Sequence, residues 1–414
     1  MIARMRSATA TTLNTLRRCG WRFFLVLVLV LSGCVGPRPS ETSTTAVEAD
    51  SALGARMDAA AAAALSEIRA AGFSVAVVRG GELDLAKGYG YADLAERVPA
   101  AANTIYRLAS ITKQFTAAAI LHLAEEGELS LDDPISDYLP DYPDLGRRIT
   151  IRHLLSHASG LSDVAVIPIL EEGGGVGYTR DQVIDLVASQ PLDFEPGTGH
   201  SYSNVGYMVA GEVIERVSGT AYADYLTNEV LGPLGLDQTS LCPDEQPSAD
   251  RWAHGYDPQH GNWPRALRLG RAPAFIDPAP INMEVVSAAG GLCSTVTDLA
   301  RWPGLLRSFL DPASYREMSR PTVLADGTKV PYGLGLQIRE FGSHPAVSHG
   351  GVVTGFISVV ADFPEDGVTV AMLVNSRLLN LELGVQLVDR VLGAVFDEPA
   401  SHWSDPLEAP VPGT

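Results

Sequence analysis

Strand-forming sequence lies at the two ends of this chain and helix-forming sequence in between, and that division constrains the fold more than any other feature. Phe73–Val78 and Glu82–Tyr91 read as strands joined at Arg79-Gly80-Gly81-Glu82, with glycine where a tight hairpin turn needs positive φ. Near the other end Ala346–Ser348, Gly355–Phe363 and Val368–Asn375 read as strands, the last pair turning at Pro364-Glu365-Asp366-Gly367. Six consecutive alanines drive a helix from about Arg56 to Ala71, stopped at Gly72. A closing helix from about Leu378 to Phe396 keeps Leu381, Val385, Val388, Leu392 and Val395 on one stripe. From about 110 to 300 the chain reads mostly as helices and long loops. The simplest architecture is α+β: an antiparallel sheet assembled from both chain ends and flanked by helices, with a mainly helical subdomain inserted.

The first 33 residues carry five arginines and no acid, then a nine-residue apolar run, Phe23–Leu31, followed by Ser32-Gly33-Cys34. Nine residues are too few for a hydrocarbon core that needs about 20, so the segment reads as a secretory signal over 1–33. Small residues before a cysteine resemble a bacterial lipobox, in which Cys34 is lipidated and becomes the mature N-terminus; an ordinary cleaved signal is the blander reading. The expected product is an exported lipoprotein held at a membrane through Cys34. Residues 34–55, rich in Pro, Ser, Thr and Glu, read as a flexible tether, 56–398 as the folded domain and 399–414 as a frayed tail. The formal charge of −19 argues against nucleic acid as a partner. Cys242 and Cys293 either bridge or sit as small buried apolar groups.

Only three of the 30 cationic side chains are lysine: Lys87, Lys113 and Lys329. Arginine keeps its proton at neutral pH, whereas a desolvated lysine can lose it. Lys113 alone follows a serine at −3, in Tyr106-Arg107-Leu108-Ala109-Ser110-Ile111-Thr112-Lys113, at the start of a helix ending at Gly127. Ser110 and Lys113, at i and i+3, point the same way. A hydroxyl beside an uncharged amine is an activated nucleophile, and the positive end of the helix disfavours the ammonium. Tyr202-Ser203-Asn204 is the only Y-x-N among thirteen tyrosines. A phenol can relay protons where a nearby cation lowers its pKa, and an asparagine amide can grip a carbonyl. A third element, Ser348-His349-Gly350-Gly351-Val352, places adjacent glycines where a strand could approach a ligand and lend an N–H to an oxyanion.

These three elements, in this order, resemble the signatures of the penicilloyl-serine hydrolase superfamily, specifically its class C β-lactamase and serine-esterase branch: S-x-x-K, Y-x-N and a K-T-G-like element, here His349-Gly350-Gly351. The likeness extends through Ile151–Leu161, Leu231–Ser240, Ala289–Trp302 and Tyr332–Ile338, and covers roughly residues 60–395. It implies a five-stranded antiparallel sheet flanked by helices plus a helical subdomain. It also implies that Ser110 forms an acyl-enzyme, Lys113 takes its proton and Tyr202 relays it to the leaving group. Asn204 would hold the acyl side, with the backbone N–H groups of Ser110 and Val352 as the oxyanion hole. His349 and Gly350 depart from the family's commoner Lys and Thr, which engage a substrate carboxylate. An ester or amide, or a D-amino-acid peptide, is therefore the expected substrate, ahead of a β-lactam. No cofactor is called for.

Rival readings are weaker. His153 and His157, at i and i+4, could be metal ligands, but no third ligand is evident. Ser159 lacks a base spaced to serve it, and no G-x-S-x-G occurs. The same scaffold could instead act as a β-lactamase or D,D-carboxypeptidase, or bind cell-wall peptide without turnover.

Overall fold

In the computed structural model the two chain ends meet in one eight-stranded antiparallel sheet. The structure describes residues 47–48, 51–67, 70–140, 148–167, 169, 175–244, 251–258, 275–377, 381–399 and 403. The signal expected over 1–33 and the lipidation site at Cys34 lie outside the described residues. The strands of the sheet are β1 (Val47–Glu48), β2 (Gly72–Arg79), β3 (Glu82–Asp93), β4 (Val98–Pro99), β5 (Gln337–Phe341), β6 (His344–Val353), β7 (Phe356–Phe363) and β8 (Val368–Val374). Their order is β1-β3-β2-β8-β7-β6-β5, with β4 on β3. The resemblance implied five strands. Five long ones are present, and β5 with the two-residue β1 and β4 raises the count to eight. Gly80 and Gly81 take φ of 61° and 87° at the β2–β3 hairpin, as the turn demands.

β8 joins the two halves, Val370 facing Val77 on β2 and Ala361 on β7. It is buried along its whole length, so its alternating side chains feed two cores. Val370, Met372 and Val374 join Phe73, Val75 and Val77 against α1 (Ser51–Glu67) and α6 (Leu381–Phe396). Ala371 and Leu373 face the other side, toward α2 (Thr112–Glu125) and α5 (Val296–Phe309). There Trp302 stacks on Phe115 with ring centroids 3.9 Å apart and donates to Gln114 at 2.9 Å. Beyond α2 lie α3 (Asn204–Ser218) and α4 (Met283–Gly290), both packed on it.

Two expectations need correcting, and a third gains a detail. The first helix starts at Ser51, and Val47–Glu48 pairs with β3, so the end of the supposed tether belongs to the domain; its lack of apolar periodicity concealed a backbone pairing that needs none. Trp403, in the stretch expected to fray, is buried, with Arg339 5.2 Å from its ring and its N–H on Asp389. One large aromatic can anchor a polar tail. The middle is also not all helix and loop. Ile105–Arg107, Ser240–Leu241 and Leu292–Thr295 form a small sheet, each strand too short to show a period in sequence.

Cys242 and Cys293 are joined in a disulfide across that small sheet, which resolves the choice left open by the sequence. Closing a 51-residue separation restrains the unfolded chain, and removing the bond is expected to cost about 2–4 kcal/mol. Urea unfolding of the Cys242→Ala/Cys293→Ala double variant tests this: its midpoint falls below that of the oxidised parent, and the parent with reductant moves the same way.

Candidate active site

Ser110 sits on a single turn, Ala109–Ile111, between a strand of the small sheet and α2. Ala109 takes φ of 48°, a conformation that costs a non-glycine residue about 1 kcal/mol or more. That kink swings the chain from strand to helix and leaves Ser110 part-exposed while its neighbours Ala109 and Ile111 are buried. Gly351 on β6 lies against the same turn. A Cβ there would come within 2.3 Å of the Leu108 carbonyl and 2.4 Å of Ser358 Oγ, so only glycine lets the strand approach. Ser358 Oγ also donates to the Leu108 carbonyl at 2.6 Å, tying β7 to the turn.

Lys113, one turn further on, has no exposed surface. Its Nζ is 2.9 Å from Asn204 Oδ1, 2.7 Å from the Ala289 carbonyl and 3.3 Å from Ser110 Oγ. An uncharged amine has two hydrogens and one lone pair. The two pure acceptors take the hydrogens, which leaves the lone pair for the Ser110 hydroxyl. Burial pushes the Lys113 pKa down to about 7, against a smaller upward pull from Asp163. The amine is therefore substantially free at neutral pH.

Tyr202 flanks the pair, with Lys113 Nζ 4.8 Å from its ring centre. Sequence reasoning expected a neighbouring cation to lower its pKa. Instead burial raises it, partly offset by a hydrogen bond with Ser110. With Lys113 deprotonated by the same burial, no adjacent ammonium balances a phenolate and the Ser110 hydrogen bond is outweighed, so Tyr202 stays a protonated phenol able to pass a proton on. The Tyr202–Asn204 segment is held by Asp163, whose carboxylate accepts from Ser203 Oγ at 2.7 Å and the Asn204 N–H at 2.6 Å. With Asn204 Oδ1 occupied by Lys113, its NH2 is the group left to meet a substrate carbonyl.

β6 runs on past the end of its pairing with β5 at Ser348, so residues 349–353 have no strand on that edge. Val352 stands 53% exposed at this edge. At Gly350 an added Cβ would meet only the Ser358 carbonyl, at 3.8 Å. His349, expected among the substrate contacts, is 1% exposed with both ring nitrogens engaged, one by Tyr332 at 3.0 Å and one by the Gly350 carbonyl at 2.6 Å. Burial and neighbouring Lys113 press its pKa down to about 3. An imidazole so placed is uncharged and has nothing to offer a carboxylate, which corrects its assignment as a direct contact.

The structure thus brings Ser110, Lys113, Tyr202, Asn204 and the 349–352 strand together. It does not support the other candidates. His153 Nδ1 accepts the Thr150 N–H in a helix cap, and His157 is buried in a hydrogen-bond chain, so the two do not share a ligand site. Among the described residues no group of three or more His, Cys, Asp or Glu could hold a metal. Among the described residues, Ser159 Oγ accepts from the Leu161 N–H and makes no other hydrogen bond. The sequence did not single out Asp163, Tyr332 or the Ala289 carbonyl, and it marked His157 only as a possible metal ligand. The last three fall in segments whose likeness was noted as a whole, but nothing local marks a backbone carbonyl 176 residues away as a lysine anchor.

Residues 54–386 match the family described as Beta-lactamase. The chain is 28% identical over 355 residues to a D-aminopeptidase of Gluconobacter oxydans, covering 84% of this chain and 64% of that protein. It therefore spans less than two thirds of that relative. Among solved structures it resembles the octameric penicillin-binding protein homologue of Pyrococcus abyssi, with TM-score 0.70, 27% identity and coverage of 84% and 78%. It also resembles the D-amino acid amidase of Ochrobactrum anthropi SV3 solved with L-phenylalanine amide, with TM-score 0.69, 27% identity and coverage of 83% and 99%. The match over residues 54–386 shows the family: the chain belongs to the β-lactamase family.

Proposed function

We propose that this protein is a serine amidohydrolase that cleaves amides, and esters of the same acyl groups, through an acyl-enzyme at Ser110. The observation that carries the reading is the Lys113 amine, dry, with both hydrogens spoken for and its lone pair left for the Ser110 hydroxyl. In the first half-reaction Ser110 Oγ attacks the scissile carbonyl carbon as Lys113 Nζ takes the hydroxyl proton. The carbonyl oxygen, now negative, is received by the N–H groups of Ser110 and Val352. Tyr202 hands its hydroxyl proton to the departing nitrogen or oxygen and is resupplied from Lys113, so the C–N or C–O bond breaks without expelling a bare anion. A water then attacks the ester carbonyl by the reverse relay and Ser110 leaves with its proton restored.

Two considerations favour an amide of a D-amino acid as substrate. A relative named D-aminopeptidase is 28% identical over 355 aligned residues, and the structure named D-amino acid amidase shares the fold at 27% identity. And an uncharged histidine replaces the lysine expected at position 349, so a free carboxylate on the substrate finds no cation there.

Ser110→Ala is expected to lower hydrolysis of D-phenylalanine amide and of p-nitrophenyl esters by at least about a thousandfold; equal rates in both proteins would remove Ser110 from the mechanism. Because the free amine is the working form, kcat/KM rises with pH through a limb near 7 and is lost below it. Lys113→Arg keeps the charge yet abolishes this activity, since guanidinium holds its proton. Faster turnover of nitrocefin or of a D-Ala-D-Ala peptide than of the amide would favour the β-lactamase or D,D-carboxypeptidase reading, and a wild type that neither turns over nor takes up a fluorophosphonate would favour the binding module.

We also propose, from the sequence, that Cys34 carries a lipid that holds the domain at a membrane. Cells fed a clickable palmitate analogue should label the protein, and Cys34→Ser should lose both label and membrane association.

A further inference from the structure

A second hydrogen-bond system lies behind the catalytic groups. The Ser203 N–H donates to His157 Nδ1 at 3.1 Å, His157 Nε2 lies 3.1 Å from the Tyr332 hydroxyl, and that hydroxyl lies 3.0 Å from His349 Nε2. His349 Nδ1 in turn is 2.6 Å from the Gly350 carbonyl. The two ends of this chain are backbone groups with fixed roles: an N–H can only donate and a C=O can only accept. Every hydrogen between them is thereby assigned. His157 accepts at Nδ1 and donates from Nε2, Tyr332 accepts from His157 and donates to His349, and His349 accepts at Nε2 and donates from Nδ1. Tyr207, against Tyr332, gives its own hydrogen to the Leu155 carbonyl at 2.6 Å, so toward Tyr332 it can only accept; the Tyr332 hydrogen goes to His349 in this chain because Nε2 there needs a donor.

We propose that His157 and Tyr332 are positioning residues for acyl transfer: their one-way chain links the Tyr202–Asn204 segment to the Gly350–Gly351 peptide, sets the Val352 N–H against Ser110, and allots His349 a single hydrogen. This rests on the acyl-transfer reading above and adds the cause of its preference for substrates without a carboxylate. A second hydrogen on His349 would displace the Tyr332 hydrogen from Nε2, so a cationic His349 breaks the chain at that step. Three observations agree. All three side chains are buried, at 0% for His157, 4% for Tyr332 and 1% for His349. His157 is held at φ of 57°, strain kept where the chain begins. And Gly351, which follows the pinned carbonyl, is the residue wedged against the nucleophile turn. The other titratable or charged groups facing these rings are Lys113 on α2, Tyr202 and His200 before α3, Tyr207 on α3 and Arg339 on β5. Lys113 and Arg339 repel a proton on His349.

The test follows the second-order rate of Ser110 labelling by a fluorophosphonate from pH 5 to 9, in wild type, Tyr332→Phe, His157→Gln and His157→Leu. Labelling needs no natural substrate, so a wild type that does not label refutes the acyl-transfer reading, whereas loss of the chain's effect leaves that reading intact. Tyr332→Phe keeps the ring but removes the hydroxyl. It should label about tenfold more slowly at pH 8, with no new ionisation, because burial and Lys113 still hold His349 uncharged. His157→Gln can accept from Ser203 and donate to Tyr332, so it should retain most of the rate, while His157→Leu, under equal backbone strain, should lose it. A Tyr332→Phe profile that overlays wild type within twofold, or Gln and Leu behaving alike, overturns the proposal. Should Tyr332→Phe not fold, the Gln–Leu pair decides alone.

Discussion

Everything in the site follows from keeping one primary amine dry. A lysine with no exposed surface is expensive if charged, and the fold relieves the cost by letting it lose its proton. That outcome needs groups from three distant stretches of chain: α2 to carry the amine, Asn204 at the start of α3, and the Ala289 carbonyl in α4. The three helices pack together, and Trp302 from α5 stacks on Phe115, two residues beyond the lysine. The core on this side of the sheet is therefore also the wall that excludes water from the base.

Strain gathers at the same place. Among the described residues four that are not glycine have positive φ, and two of them, Ala109 and His157, border the site. Ala109 turns strand into helix just before the nucleophile. His157 leaves its helix to reach Ser203 and Tyr332. Each conformation is held by what surrounds it: Ala109 by Gly351 and the tie from Ser358 to Leu108, His157 by hydrogen bonds at both ring nitrogens. Rigid support of this kind is what keeps catalytic groups within a fraction of an ångström of their working positions.

The site is notable for how little charge it holds. Burial leaves Lys113 half-deprotonated near neutrality, keeps Tyr202 a phenol and His349 an imidazole. Asp163 is the exception, and its carboxylate is spent on the Ser203 hydroxyl and the first amides of α3. Position 349 shows how a change of one residue alters recognition: the same strand that could carry an ammonium toward a carboxylate carries instead a ring turned inward on a tyrosine.

Much of this was legible in the residues alone. The hairpin glycines, the apolar runs at both ends and the amphipathic closing helix encode local geometry, and local geometry depends on near neighbours, so the sheet built from both termini could be read directly. Ser110 and Lys113 lie one helical turn apart, and their shared direction needs no tertiary information. What the chain could not show locally was decided only by folding. Asn204 would cap or bind, Cys242 and Cys293 would bridge or not, and Trp403 would fray or dock, according to contacts made across 14 to 176 residues. Burial is a property of the assembled core rather than of any segment. For that reason the sequence marked which groups could react, and only the tertiary structure decided their protonation: a free amine at Lys113, an intact phenol at Tyr202 and an uncharged ring at His349.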